Sequence, residues 1–250
     1  MGKQLLIYGN VAAVDSEKHR NMSVKLDGTY AFAKDINSSP LLVTEFIEAT
    51  KDFAVVFSGD DEVMPLVLLG IDDNSYVSDE SKWTASYTPA FLRRYPFVFA
   101  SNDEGSNFTL CLDESFVGCN EENIGERLFD SEGSHTQYLK NVLEFLQTYQ
   151  AHYKATQVFC KKIVELDLLE PMEASYKIRE QKTGNVTGFK AISREKIKAL
   201  SDEQLLELVR SDYLELIYKH LSSMANFSKM IENIAEAMPE EKAEKKELKS

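Results

Sequence analysis

A chain of 250 residues with 43% hydrophobic side chains can bury a sizeable core, as one large domain or two modest ones. Its net charge of −13, from 41 acidic and 28 basic residues, leaves no basic footprint for nucleic acid. No apolar run approaches the roughly 20 residues that span a bilayer, which excludes a membrane-spanning class.

The acidity is uneven. Residues 1–130 hold 22 acidic against 10 basic side chains, residues 131–239 hold 15 against 14, and the tail 240–250 holds four of each. An acidic N-terminal half suits a basic partner or simple solubility. Three cysteines, Cys111, Cys119 and Cys160, are an odd and widely spaced set. They predict reduced thiols and a cytoplasmic setting rather than a disulfide framework.

In chain order, "QLLIYG" (4–9) reads as a first strand. Gly9 and Asn10 interrupt the apolar stretch that a signal peptide would need, and Leu6 stands where a myristoylation pattern wants Ser or Thr. "PLLVTEFIEATKD" (40–52) spaces its apolar residues along one helical face, with Pro40 at the start. Short aromatic and β-branched runs follow at 53–58, 64–71, 95–101 and 108–114, separated by Gly, Asp and Asn clusters. The short joins predict antiparallel pairing. Arg93 and Arg94, inside "YTPAFLRRYPFVFA" (87–100), fall on a strand in this reading and point to opposite faces.

After residue 130 the period changes. Leu139, Val142, Leu143, Leu146, Tyr149, Tyr153, Phe159, Cys160 and Ile163 make a helical stripe over 135–166, with Ser134 and Gln137 as a capping box and a break near Ala155–Thr156. "GNVTGFKAI" (184–192) reads as a short strand. Two helices follow: 201–211, opened by a second capping box of Ser201 and Gln204, and 212–238. The charged segment 239–250 has no apolar anchor but Leu248 and is expected to be mobile. The fold class is therefore α+β: an antiparallel β-rich N-terminal half (1–130), then a long helix and a mostly helical C-terminal part (131–238) packed on it.

Several stretches in order resemble the SapC family of bacterial proteins. They are His19 in "SEKHRNMSV", Pro40-Leu41 with Glu45-Phe46, Pro65 before "LVLLG", and Trp83 with "YTPAFLRRYPF". They continue through "CLDES" (111–115), "LFDSEG" (128–133), "LLE" (168–170), Gly188-Phe189, "ALSDE" (199–203) and "IYKHLSSMANF" (217–227). At 52–54 the chain has Asp-Phe-Ala where the family pattern suggests a Tyr-Pro pair. The resemblance covers about residues 5–230. It implies an accessory protein of a family named after surface-layer loci, and not the peptide-transport permease that shares the name.

The double arginine has two readings. An inward guanidinium clamped by Glu45, Asp113 or Glu114 would be structural. Alternatively, Arg93 and Arg94 bind a ligand carboxylate or phosphate, walled by Trp83, Tyr87 and Tyr95. A non-haem iron could be held by His19 and Asp113, though the His-x-Asp/Glu spacing is absent after all four histidines. His220 reads as a packing or surface histidine. No Gly-x-Ser-x-Gly elbow or phosphate loop occurs, and Val77 and Trp83 break the calcium-loop pattern in 72–83. Cys119 follows Gly118 with no basic neighbour. The leading expectation is a soluble accessory or binding protein without cofactor, for a peptide, an anionic small ligand or a basic protein partner. The alternative is a metal-dependent oxygenase using Fe.

Overall fold

The computed structural model describes residues 7–101, 108–178 and 182–237. Residues 4–6 of the expected first strand and the expected mobile tail lie outside them. Among the described residues the first strand is β1, Val11–Ala13, followed by β2, Ser23–Val24, and β3, Ser38–Pro40. Pro40 thus belongs to a strand and does not open a helix. β3 is the edge of its sheet, where a missing N–H costs no ladder bond. A single 3-10 turn, Val43–Glu45, and the short α1, Phe46–Ala49, replace the helix expected over 40–52.

β4 (Val55–Ser58) and β5 (Met64–Leu68) form a hairpin, and α2 (Ala90–Arg93) is one helical turn. Then come β6 (Phe97–Ser101), β7 (Phe108–Asp113), β8 (Cys119–Asn120) and β9 (Glu126–Arg127). α3 runs unbroken from Gln137 to Glu165. Its N-cap is Thr136, whose hydroxyl accepts from Leu139 N, so the Ser134 box and the break near Ala155 are both corrected. Leu139, Leu146, Tyr149, Phe159, Cys160 and Ile163 of the stripe are buried.

The C-terminal part opens with a long hairpin, β10 (Leu169–Ile178) and β11 (Lys182–Ile192), where only a short strand was expected. α4 (Arg194–Lys198), α5 (Asp202–Arg210), α6 (Tyr213–Ser223) and α7 (Asn226–Ala237) follow. The Ser201–Gln204 capping box is formed at α5. The single helix expected over 212–238 is two, parted at Met224 and Ala225.

All pairings among the described strands are antiparallel. One sheet has the order β10-β11-β4-β5-β3, a second β1-β7-β6 and a third β8-β2-β9. Lys190 opposite Phe57 joins the C-terminal hairpin to the N-terminal sheet. α3 spans the sheets, touching β9 and β6 near its start and β5 further along. The core sits beneath it, where Phe159 meets Phe46, Phe57 and Tyr213.

Candidate functional site

The segment around the arginines is shaped by two carboxylates, neither of which touches an arginine. Asp52 Oδ2 accepts from Ser86 N at 2.9 Å, Ser86 Oγ at 2.5 Å and Tyr87 N at 3.1 Å. Glu45 is buried; its Oε1 accepts from Tyr87 OH and Ala90 N, both at 2.7 Å, and its Oε2 from Leu42 N at 2.9 Å. A carboxylate at Ala90 N satisfies an orphan donor of the first turn of α2. Pro89, extended at ψ 139°, starts that turn.

The strand placement of the arginines is therefore corrected: Arg93 ends α2 and Arg94 caps it. Successive helical residues still diverge, by about 100° per residue. Arg93 is exposed; its Nε donates to Thr88 O at 3.0 Å and its Nη2 to Tyr87 OH at 3.2 Å. Arg94 is 4% exposed, and its Nε and Nη2 are buried with no acceptor. The expected carboxylate clamp is absent among the described residues. Glu45 is committed to backbone and hydroxyl donors, Asp113 to a cradle of its own, and Glu114 to His19 and Lys18.

Aromatic rings surround the guanidinium. Its central carbon lies 4.4 Å from the Phe91 centroid, 4.8 Å from Tyr149 and 5.8 Å from Tyr8. Burial pushes the Tyr8 hydroxyl up to about 12 and raises that of Tyr149, so neither supplies a phenolate counter-charge. Tyr8 OH donates to Phe97 O at 2.9 Å.

Arg94 lines a pocket of about 190 Å³ between β6 and the first turns of α3, with apolar walls that include Phe97, Phe145 and Leu146. Its remaining polar members, Tyr138 and Asn141, are uncharged and can donate. Asn141 Oδ1 accepts from Gln137 Nε2 at 2.8 Å, and the Asn141 amide N–H groups are free to donate. Burial, followed by the charge of Glu126, pushes the Tyr138 hydroxyl up to about 12 and keeps it protonated. No carboxylate lines this pocket, in a chain with 41 acidic side chains.

Of the residues singled out from sequence, Arg93, Arg94 and Tyr95 line the pocket. Tyr95 contributes its ring, while its hydroxyl donates to Asp113 at 3.3 Å. Tyr87 sits behind Arg93. Trp83 lies elsewhere, packed on Tyr30, Phe53 and Tyr76 with its Nε1 donating to Tyr87 O. Tyr8, Tyr138, Asn141 and Tyr149 were not singled out. The period of α3 put Tyr149 on a buried stripe, but nothing local marked Asn141.

His19 and Asp113 do not offer an open ligand set. Asp113 accepts from Gly9 N, Asn10 N, Ser115 N, Ser115 Oγ and Tyr95 OH, and this cradle overcomes burial to lower its pKa. The buried His19 has Nε2 2.9 Å from Glu114 Oε1, and its Nδ1 accepts from Asp15 N at 3.0 Å. That tautomer turns the 3.2 Å approach of Nδ1 to Asp15 O into a contact without a proton. With both ring nitrogens and both carboxylate oxygens engaged, the pair does not fit an iron. No group of three His, Cys, Asp or Glu that could hold a metal occurs among the described residues. Burial and the charge of Asp113 push the Cys119 thiol up to about 11, opposite to nucleophile activation.

The chain belongs to the SapC family, whose family model matches residues 14–230. No curated protein and no solved structure matches it. Among the described residues no helix is long and apolar enough to cross a membrane.

Proposed function

We propose that this SapC-family chain is a binding protein that holds an anionic group of its ligand against Arg94. One observation carries the reading: a guanidinium 4% exposed, with two nitrogens lacking acceptors, on the wall of a pocket. A buried charge without a partner costs several kcal/mol. Stacked aromatic faces return about 2 kcal/mol when desolvated, and they leave the N–H donors unsatisfied at about 1–3 kcal/mol. An anion in the pocket would supply the missing charge, and once the buried side chain shifts toward the pocket the anion's oxygens would supply the missing acceptors, since a carboxylate or phosphate matches the guanidinium fork. The absence of any carboxylate from the lining, with two arginines on it, favours the same ligand sign. At about 30 Å³ per water, the pocket suits a small anionic head with a few carbons of apolar body. Turnover is not the reading, because the titratable lining groups are arginines and protonated tyrosines, with no nucleophile and base in contact.

Thermal unfolding with and without 3-phenylpropionate, butyrate and phosphate tests this. A ligand that binds only the folded chain raises Tm in proportion to its occupancy. The wild type should be stabilised by at least one of these anions beyond a matched chloride control, and Arg94→Met should not. Equal shifts in both proteins, or none in the wild type, would refute the reading.

A further inference from the structure

We infer that the ligand is the C-terminal end of a peptide, its α-carboxylate at Arg94 and its upstream chain lying in a neighbouring depression beside Asp27. This rests on the anion reading above and narrows the ligand. The second depression, about 90 Å³, shares Leu26, Arg93 and Tyr95 with the first, so the two adjoin across a saddle made by those side chains. A small acid would fill only the first.

The chemistry changes sign along this path. The Arg94 pocket is lined by two arginines and no carboxylate. The second depression is walled by the turn Asp27-Gly28-Thr29. Asp27 Oδ1 accepts from Thr29 N at 2.9 Å and Thr29 Oγ1 at 2.8 Å, which fixes the carboxylate and lowers its pKa. The carboxylate is exposed. A ligand that suits both places is anionic at one end and carries N–H donors or a cation further on.

That pattern separates three ligand classes. A free amino acid carries its ammonium beside its carboxylate and would bring a cation into a pocket lined by two arginines. A nucleotide or polyphosphate would run its further charges onto Asp27. A peptide C-terminus has a lone carboxylate, an apolar side chain for the wall of Phe97 and Phe145, and then amide donors moving away. The saddle also suits a chain that continues. Leu26 is 59% exposed there. The backbone N–H of its neighbour Lys25 donates to Gly118 O at 2.9 Å, which brings the exposed Val117 to the same end of the β8-β2-β9 sheet. The acidic N-terminal half around this shelf favours basic residues upstream in the peptide.

The probes are pools of hexapeptides ending in Phe or Leu, with positions one to five drawn from Gly, Ala and Lys or from Gly, Ala and Glu, each made as free acid and as C-terminal amide. Calorimetry and thermal shift on the full chain should show binding of the free-acid Lys pool. Amidation should weaken it at least 10-fold, and Arg94→Met should abolish it. The Glu pool should bind several-fold more weakly than the Lys pool, and Asp27→Asn should close that gap without changing 3-phenylpropionate binding. If 3-phenylpropionate stabilises the protein through Arg94 but the free-acid pools bind no better than their amides, the peptide inference falls and the anion reading stands. If neither 3-phenylpropionate nor any pool acts at millimolar concentration, both fall.

Discussion

Two buried basic side chains in this molecule have opposite fates. His220, on α6, is fully buried, and both ring nitrogens have partners. Nε2 accepts from Ile192 N at 3.0 Å, which places the proton on Nδ1, and Nδ1 donates to Val55 O at 2.8 Å. Ser223 and Asn226, three and six residues on, continue the pattern. Ser223 Oγ accepts from Val55 N, and Asn226 Nδ2 donates to Thr50 O and Phe53 O. The end of α6 and the first residue of α7 thus satisfy backbone groups of β4, β11 and the segment before β4, which gives "HLSSMANF" a structural role. Arg94 is nearly as buried but leaves two nitrogens unanswered. Buried polar groups that serve the fold are answered inside the fold. Arg94, which is not answered and stands beside a pocket, is the group on which the proposed anion site rests.

Breaking the answered site should cost the most. His220→Leu leaves Val55 C=O and Ile192 N–H buried without partners, at about 1–3 kcal/mol each. A loss of about 2–6 kcal/mol in denaturant titration is expected, and a loss below 1 kcal/mol would mean the ring does not pin α6 to the sheet. The same ring sets a pH dependence. Burial, opposed by the bond to Val55, pushes its pKa from 6.5 down to about 4. Between those values the unfolded chain binds the extra proton, so stability should fall as pH drops from 6.5 toward 4, by on the order of 3 kcal/mol in total. Asp113 and Glu114 are shifted down from 3.8 and 4.5, so the stability they add is present above those values and is lost only in stronger acid. A His220→Gln variant should flatten the slope between pH 6.5 and 4.5. An unchanged slope would assign it to other groups.

At the unanswered site the sign should reverse. Arg94→Met keeps an apolar chain against Phe91 and Tyr149 and removes an uncompensated charge. Replacing buried ionic groups by well-packed hydrophobic ones is often stabilising by about 1–4 kcal/mol. A gain of about 1–2 kcal/mol without ligand is expected, together with loss of stabilisation by anions. Such a gain paired with lost binding is the usual trade at functional sites. A destabilisation of several kcal/mol would show that Arg94 has a structural partner after all.

What the sequence revealed follows from which interactions are local. The period of α3 and the capping box at Ser201 lie within single helices and were legible. So were the antiparallel runs at β4 to β7. β10 was missed although Met172, Ala174, Tyr176 and Ile178 alternate with Glu173, Ser175 and Lys177, because small and charged residues weaken its strand signature. α2 was misread as strand because one turn between two prolines is too short to show a period. The Arg94 pocket was legible only in part. Arg93, Arg94 and Tyr95 are adjacent in sequence, whereas Tyr8 comes from the N-terminal segment and Tyr149 from α3, and only the fold brings them together. Glu45 and Asp113 looked like available partners until their backbone donors were seen.

The smallest effect should come from Arg93, and the contrast with its neighbour is the sharpest check on this local geometry. Arg93 is exposed, and its bonds to Thr88 O and Tyr87 OH compete with water. Its approaches to the Tyr87 and Phe145 rings, at 5.6 and 5.5 Å, are solvated and worth about 0.5–1 kcal/mol at most. Met at this position retains part of that apolar contact. Arg93→Met should therefore change free-state stability by under about 0.5 kcal/mol, as most surface substitutions do. Arg93 also lines both depressions, so the loss of its charge should slow association with an anionic ligand and reduce the salt dependence of the on-rate, leaving most of the dissociation rate to Arg94. Stopped-flow association at two ionic strengths separates the two residues. If Arg93→Met and Arg94→Met alter stability and dissociation alike, the outward and inward placement of the pair at the end of α2 is wrong.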